Sequence, residues 1–341
     1  MMKKNILLKK IPLYIKAPLK SYITFHNKEP KTMVKSVLLK NFLDYCNFSD
    51  EVREKGYLYL REKNYKYLSN EYKNIVSRYE NIDEFKGIKS DENNNIWIFW
   101  WQGVENAPDI IRRCIGSIKA HAIGYRVFIV DKNNYMKYAS VPTHILDKLN
   151  NNAISITHFS DYYRMALLAA HGGIWIDSSI YAMNYFNEEL LQKPLFTIRN
   201  PKKDKQNISN WNWTVGVLGG WRGNILFCIL RDMLSKYWKN NDYVVDYFML
   251  DYMVKIVCDN NQKIKTCIFD IEENNSDFYF LQKYANQAFD MSIYNKVEKS
   301  STWLYKISWK GKYDLMTTDG EKTFYSQWLE DTKEYGRGAK L

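Results

Sequence analysis

Two acidic residues and one arginine stand close together in the middle of the chain, in a pattern that could bind an anionic ligand. Asp161 and Arg164 occur in Ser160-Asp-Tyr-Tyr-Arg, and Asp177 ends the stretch Gly172-Gly-Ile-Trp-Ile-Asp. Asp161 and Arg164 would share a face in the first turn of a helix that Ser160 caps. The two glycines would stop that helix, so that Asp177 falls just past the carboxyl end of the following strand. In open α/β sheets, that edge is where ligands bind.

This set of side chains suits a nucleoside diphosphate sugar. Such a ligand needs its ribose hydroxyls held, its diphosphate neutralised and a sugar hydroxyl oriented, and a carboxylate, a guanidinium and a metal-binding carboxylate can share those tasks. Each residue also has a plainer interpretation: Asp161 and Arg164 could be a helix cap and a surface ion pair, and Asp177 could cap a turn. Their order along the chain favours the binding site.

Short apolar strands separated by helical segments must position these residues. The alternation predicts an α/β sheet with parallel strands. The predicted strands are Ile96 to Trp101, Arg126 to Val130, Ala153 to Thr157, Ile174 to Ile176 and Leu195 to Ile198. Helices are expected from Pro108 to about His121, from Ser160 to the glycine pair, from Asn224 to Trp238 and from Tyr243 to Val257.

The chain ends differ in composition from this α/β region. Residues 1–90 read as a basic arm and a helical subdomain, with a short amphipathic helix at Met33 to Phe42 and one or two charged helices from Ser49 to Tyr79. Residues 91–320 are expected to form the α/β domain, and residues 321–341 a C-terminal helix or tail.

Four stretches together carry a family resemblance. They are Trp100-Trp-Gln-Gly103 followed by Ala107-Pro108, then Ser160-Asp-x-x-Arg164, Gly172-Gly-x-Trp-x-Asp177, and Lys306-Ile-Ser-Trp-Lys310. With them the sequence resembles the capsular polysaccharide synthesis glycosyltransferases, relatives of glycosyltransferase family 32 and, more distantly, of the clostridial glucosylating toxins. The resemblance covers roughly Ile96 to Lys310.

The resemblance implies a GT-A-like, Rossmann-like domain that binds a nucleotide sugar, most readily a UDP-sugar. It implies that Trp101 lies beside the base, with Trp100 the second choice, and that Asp161 and Arg164 contact ribose and donor sugar. The full implied donor-binding set is Trp101, Gln102, Gly103, Asp161, Arg164, Gly173, Ser308, Trp309 and Lys310. Of these, Asp161 and Arg164, together with Asp177, are also the implied catalytic residues.

The resemblance also implies a metal ion, Mn²⁺ or Mg²⁺. Asp177 takes the first position of the D-x-D metal motif, but Ser179 stands where the second carboxylate belongs. A hydroxyl is a weaker oxygen ligand than a carboxylate, so the ion would be held chiefly through Asp177 and the donor diphosphate. Lys306 or Lys310 could supply the charge that the missing carboxylate no longer attracts.

The implied reaction is sugar transfer to a glycan acceptor, possibly lipid-linked, in capsule or surface polysaccharide synthesis. The resemblance favours retention of the anomeric configuration, for which the departing diphosphate can help to deprotonate the acceptor. Inversion would need a carboxylate base, for which Asp246 and Asp251 are candidates, although a solvated helix face is the favoured explanation of these two residues. The alternative function is a noncatalytic carbohydrate-binding protein whose donor site has degenerated.

Charge is distributed unevenly along the chain. The net charge is +11, and residues 1–40 contain ten lysines and one glutamate, a net charge of +9. Because apolar side chains alternate with these lysines, residues 1–42 are expected to bind an anionic membrane surface. The alternative is a solvated basic arm that only aids solubility. Nucleic-acid binding is not expected, since the basic charge is confined to one end and no binding motif is present.

The location expected from the sequence is the cytoplasm, at the inner face of the cell membrane. No apolar run approaches the roughly 18 residues of a membrane span, and lysines interrupt the apolar start of the chain before it could serve as a secretory signal. The five cysteines are odd in number and contain no C-x-x-C pair, so neither a disulfide framework nor a zinc site is indicated.

Overall fold

The structure, a computed structural model, describes residues 31–82, 86–89, 94–187, 190, 192–204 and 207–335. Its helices are α1 (Lys31–Tyr45), α2 (Asp50–Ser77), α3 (Asp109–His121), α4 (Thr143–Asn150), α5 (Ile156–His171), α6 (Ile225–Asn240), α7 (Met249–Asn260), α8 (Gln262–Phe269), α9 (Phe280–Tyr284), α10 (Met291–Glu298) and α11 (Phe324–Tyr335). Its strands are β1 (Asn95–Phe99), β2 (Arg126–Val130), β3 (Gly173–Ile176), β4 (Ile180–Ala182), β5 (Leu195–Thr197), β6 (Val217–Gly220) and β7 (Leu304–Lys306). Short 3₁₀ turns occupy Val104–Asn106 and Tyr135–Lys137.

The chain divides into two compact units. The first unit takes the described residues up to 81, together with 142–162 and 229–262, and the second takes 82–141, 163–228 and the described residues from 263 onward. The division falls inside α5, between Tyr162 and Tyr163, and again inside α6. The helical unit therefore includes segments from beyond the N-terminal region of 1–90.

The first unit is helical and is organised around the long helix α2. Ser49 caps this helix by accepting a hydrogen bond from the Val52 amide at 3.4 Å, and two acidic residues in the first turn favour the helix dipole. Helices α1 and α7 pack against α2. The side chains that α2 buries include Leu60, Leu68, Tyr72, Ile75 and Val76. The predicted charged helices from Ser49 to Tyr79 are thus one helix, and the short helix predicted at Met33 to Phe42 lies within α1.

The second unit is a mixed α/β structure built on a five-stranded sheet. The strand order is β2-β1-β3-β6-β5. Strand β1 is parallel to β2 and to β3, whereas β6 is antiparallel to both β3 and β5. The prediction of parallel strands is confirmed for the first three strands. The strand predicted at Leu195 to Ile198 is β5, which runs in the same direction as these three but pairs with the antiparallel strand β6 that separates it from β3.

The sequence prediction of a strand at Ala153 to Thr157 is wrong, because this segment bends and then enters α5, which begins at Ile156. The Ser155 hydroxyl accepts a hydrogen bond from the His158 amide at 3.3 Å and so begins the helix five residues earlier than expected. Ser160 lies inside the helix, where its hydroxyl donates to the Thr157 carbonyl at 2.6 Å. Asp161 and Arg164 therefore lie beyond the first turn.

Strand β6 was not predicted, because its sequence ends in two glycines that resemble a loop. A side chain at Gly219 would lie 2.8 Å from the Gly173 carbonyl and 2.8 Å from Ile174 on the neighbouring strand β3. The glycines therefore allow the backbones of β6 and β3 to approach closely beside the predicted site.

A second, two-stranded sheet pairs β4 with β7 in the antiparallel direction. Helix α3 packs on β4, and α11 packs on α3 through buried Phe324 and Trp328. Helix α11 lies within residues 321–341, where a helix or tail was expected. Within the described part of the chain, no helix is both long and apolar enough to cross a bilayer.

Candidate functional site

The candidate site lies in the second unit, at the edge where the parallel strands end. Trp100 and Trp101 follow β1, Asp131 follows β2 and Asp177 follows β3, so their segments leave the same side of the sheet. The Trp100 amide donates to the Val130 carbonyl at 2.9 Å, which ties the segment after β1 to the end of β2. In open α/β sheets this edge is the usual ligand site.

Both oxygens of the Asp177 carboxylate accept hydrogen bonds. Oδ1 accepts from the Trp175 indole at 3.0 Å and from Arg164 Nη2 at 3.3 Å. Oδ2 accepts from Lys306 Nζ at 2.9 Å. The Asp177 amide donates to the Gly216 carbonyl at 2.8 Å, so backbone and side chain are both held. The structure thus brings Arg164 and Asp177 together. The Asp177 carboxylate lies between two cations, Arg164 and Lys306.

Lys306 reaches Asp177 because of strand pairing rather than sequence proximity. It is the last residue of β7 and lies opposite Ile180 of β4. The next amide, that of Ile307, donates to the Ser179 carbonyl at 2.9 Å. The backbone of Lys306 is therefore fixed alongside residues 179 and 180, and its ammonium group is held by a strand rather than by a loop.

The Arg164 side chain is almost fully buried. Its guanidinium lies 4.8 Å from the centre of the Trp175 ring and also donates to the Val215 carbonyl. A buried cation needs such partners, because desolvation of an unpaired charge costs several kcal/mol. Within the described structure, Arg164 holds Asp177 in place, and the implied contact of Arg164 with the donor stays a prediction.

The balance of charges keeps Asp177 ionised. Burial raises the pKa of this carboxyl group, but the charges of Lys306 and Arg164 outweigh that effect and lower the pKa to about 2. The Trp175 and Lys306 hydrogen bonds act in the same direction. At neutral pH the three charged groups together carry a net charge of +1, which suits an anionic ligand.

Gly216 is required by the position of Asp177. A Cβ atom at this glycine would lie 2.8 Å from Asp177 Oδ2 and 3.2 Å from its Cγ. Any side chain here would push the carboxylate away from Lys306. Gly216 and Trp175 are site residues that were not predicted from the sequence. Trp175 could have been found, because it is the tryptophan of the Gly-x-Trp-x-Asp motif that ends at Asp177. Gly216 belongs to no motif that the sequence shows.

A divalent ion beside Asp177 Oδ2 does not fit the residues in this arrangement. Lys306 already lies there, and an ion at that position would have to compete with its ammonium group for the same carboxylate oxygen. Ser179 adds only a neutral oxygen. Among the described residues, no group of three or more His, Cys, Asp or Glu side chains is arranged to hold a metal ion. These side chains thus give no support to the expectation of Mn²⁺ or Mg²⁺, which stays a prediction.

The predicted aromatic donor contacts form two small clusters near the strand ends. Trp101 lies 5.3 Å from Tyr135 and 5.9 Å from Phe99 between ring centroids. Trp100 meets Trp309 edge to face at 5.5 Å. Trp309 is 43 % exposed, which leaves much of its surface open to a ligand.

The other residues of the implied donor set are placed as follows. The Gln102 carbonyl accepts from Asn106 at 3.0 Å. Gly103 adopts a φ of +86°, which favours glycine at that turn. The Ser308 carbonyl accepts from the Tyr313 hydroxyl, and Lys310 Nζ lies 5.4 Å from the centre of the Trp309 ring. Gly173 begins β3 with a φ of +91°. Contact of these residues with a donor stays a prediction.

Asp161 belongs to the first unit, where it pairs with a histidine. Its Oδ2 lies 3.3 Å from His158 Nδ1, and both side chains are buried. His158 also lines a cavity of about 510 Å³ whose walls include Trp238 and Ile154. The implied role of Asp161 at the ribose stays a prediction.

The candidate base residues Asp246 and Asp251 are also in the first unit. Asp246 is buried, accepts from the Phe248 amide at 2.9 Å and from Asn64 at 3.2 Å, and so stabilises the turn before α7. Burial raises the pKa of Asp246. Because of this turn, α7 begins at Met249 rather than at Tyr243 as predicted. Asp251 is half-buried in the first turn of α7.

Comparison with known proteins agrees with the resemblance in the sequence. The family model of the capsular polysaccharide synthesis proteins matches residues 44–328, which include most of both units and every residue of the candidate site. The chain belongs to the capsular polysaccharide synthesis protein family. A comparison with curated proteins gives no match.

Proposed function

We propose that this chain is a glycosyltransferase with a GT-A-like catalytic domain, which transfers a sugar from a nucleoside diphosphate sugar to a glycan acceptor during capsule synthesis. The single observation that carries the proposal is the cluster of Arg164, Asp177 and Lys306 at the carboxyl edge of the parallel strands. Membership of the capsular polysaccharide synthesis family supports a role in capsule synthesis. The positive charge of the cluster supports transfer from a nucleoside diphosphate sugar.

The cluster suits a leaving diphosphate. Negative charge develops on the diphosphate oxygen as the bond to the sugar breaks, and fixed cations near that oxygen lower the barrier. Lys306 and Arg164 are fixed by Asp177 before any ligand arrives, so little reorganisation is needed. The exposed face of Trp309 offers a stacking surface for a base or a sugar ring nearby.

The donor is proposed to be a UDP-sugar and the transfer to be retaining. In a front-face reaction the leaving diphosphate takes the acceptor proton, so that no carboxylate base is needed. Asp246, a candidate base for inversion, is buried and hydrogen-bonded, which agrees with a route that needs no carboxylate base. The anomeric configuration of the product, read by proton NMR, distinguishes retention from inversion.

The experiment that tests the proposal is turnover of sugar donors. Purified protein is incubated with a panel of UDP- and GDP-sugars, with and without Mn²⁺, and the released nucleoside diphosphate is measured. We expect hydrolysis of at least one donor, lost by about 100-fold or more in Asp177→Ala. A folded Asp177→Ala protein with near-normal turnover would remove this site from the mechanism.

A noncatalytic carbohydrate-binding protein is the second candidate function, and Ser179 is the observation that favours it. The position of the second D-x-D carboxylate holds a neutral side chain. If UDP binds in calorimetry but no donor in the panel is hydrolysed or transferred under any metal condition, this second function replaces the first.

Residues 1–42 are proposed to hold the enzyme at an anionic membrane surface, where a lipid-linked acceptor would be found. Residues 1–30 lie outside the described structure, so the proposal rests on the net charge of +9 in residues 1–40. Each lysine near an anionic surface contributes about 1 kcal/mol. The described part of this segment belongs to α1, which buries Val34 and Leu43 and is thus part of the first unit.

A further inference from the structure

The ammonium group of Lys306 has hydrogen-bonding capacity beyond its bond to Asp177. An ammonium carries three donors, and the contact with Asp177 Oδ2 at 2.9 Å uses one of them. The Lys306 side chain is 27 % exposed and that of Asp177 is 28 % exposed, so a ligand can reach the pair. We propose that Lys306 is the cation that neutralises the donor diphosphate in this enzyme, in place of a divalent metal ion.

The charges around Asp177 favour this assignment. In a D-x-D site two carboxylates offset the double charge of a metal ion, whereas here one carboxylate faces Lys306 and Arg164. The cluster is already positive by one unit without any ion. A divalent ion would raise that to three and would have to displace the ammonium group from Oδ2.

The backbone supplies the second, independent observation. Lys306 lies opposite Ile180 in the β4–β7 pair, and the Ile307 amide bonds to the carbonyl of Ser179. The residue that replaces the second carboxylate is therefore hydrogen-bonded to the segment that carries the lysine. The strand that carries the cation is thus tied directly to residue 179.

The inference rests on the proposed function and specifies the chemistry of the same site. In the reaction, the bond between the anomeric carbon and the β-phosphate oxygen breaks, and its electron pair stays on the diphosphate. The acceptor hydroxyl oxygen bonds to the anomeric carbon, and its proton passes to the leaving phosphate oxygen. Lys306 transfers no proton in this step and donates hydrogen bonds to the diphosphate oxygens.

The test compares four full-length proteins: wild type, Lys306→Met, Lys306→Arg and a matched control, Lys299→Met. Lys299 is an exposed lysine of the same unit, so its replacement removes the same charge away from the site. Hydrolysis of the best UDP- or GDP-sugar is measured in excess chelator and with added Mn²⁺ or Mg²⁺. Calorimetry measures the affinity for UDP and GDP under the same conditions. Circular dichroism and melting temperature show whether each variant is folded.

We expect the wild type and Lys299→Met to keep full activity and UDP affinity in chelator, and to change by less than about twofold with metal. In Lys306→Met, the rate of hydrolysis should fall by about 100-fold or more and the affinity for UDP by about tenfold or more. Losses of this size are expected when one charged hydrogen-bond donor is removed. Added Mn²⁺ should restore part of that loss, because the position beside Oδ2 is then vacant. Lys306→Arg keeps a cation and should retain more activity than Lys306→Met even if the methionine variant is unstable.

Two results would overturn the inference while leaving the proposed function intact. One is a wild type that chelator inactivates and Mn²⁺ restores. The other is a folded Lys306→Met protein as active in chelator as the wild type. Absence of turnover with every donor, with or without metal, is a different result, which defeats the proposed function and the inference with it.

Discussion

Replacing Asp177 by asparagine tests the charge balance of the site, because asparagine keeps the shape of the side chain and removes its charge. In the folded protein the pKa of Asp177 is lowered from 3.8 to about 2. At about 1.4 kcal/mol for each pKa unit, ionised Asp177 contributes about 2 kcal/mol to the stability of the wild type. Asp177→Asn should lose at least that amount at pH 7, since Lys306 and Arg164 are left without their carboxylate.

The pH dependence of this loss is the sharper part of the prediction. Because the folded-state pKa lies below the unfolded value, the stabilisation is complete above about pH 4 to 5 and disappears as the pH falls through about 2. At pH 3 about half of it remains, so the difference between wild type and Asp177→Asn should shrink by about 1 kcal/mol between pH 7 and pH 3.

Urea unfolding followed by tryptophan fluorescence provides the assay, at pH 7, 5 and 3. Asp319→Asn is the control, because Asp319 is an exposed carboxylate of the same unit. The control should shift the midpoint little at any of the three pH values. A difference between wild type and Asp177→Asn that is the same at pH 7 and pH 3, or below about 0.5 kcal/mol throughout, would refute the assigned pairing.

Three further predictions concern the surroundings of the cluster and the chain end. Gly216→Ala should leave the protein folded but lower donor hydrolysis by about tenfold or more, because the new Cβ displaces Asp177 Oδ2 from Lys306; wild-type rates would contradict the packing at this glycine. Asp161→Ala and Arg164→Ala should each weaken donor affinity in calorimetry, and unchanged affinity and turnover in both would remove them from the donor site. Replacing Lys3, Lys4, Lys9 and Lys10 by glutamine in the full chain should reduce co-sedimentation with anionic vesicles and make it less sensitive to salt; equal pelleting of both proteins, or of neither, would discard the membrane role.

The local sequence was sufficient to predict the elements whose signals are local. The glycine pair after α5 and the apolar run that follows it placed β3, and hence put Asp177 at the carboxyl end of that strand. Ser49, followed by acidic residues, marked the start of α2. These signals depend on backbone conformation and capping, which involve residues only a few positions apart.

Where two local signals competed, the sequence prediction was wrong. Ser155 and Ser160 are both possible helix caps, and the β-branched residues between them favoured a strand. The structure uses Ser155, so the helix starts earlier and Ser160 lies within it. Strand β6 was missed for a related reason: its glycines have low strand propensity, but they are required where β6 approaches β3 closely.

The arrangement of charges was decided by tertiary structure alone. The sequence placed Arg164 and Asp177 in one candidate site and offered Lys306 or Lys310 as a further cation, but Asp177 and Lys306 are 129 residues apart in the chain. Their meeting depends on the pairing of β4 with β7, which fixes Lys306 beside residues 179 and 180. Register between distant strands is set by packing on both faces of a sheet and not by the residues of either strand alone. The sequence by itself therefore determined which residues could bind a diphosphate, and only the fold determined that a lysine lies where a metal ion was expected.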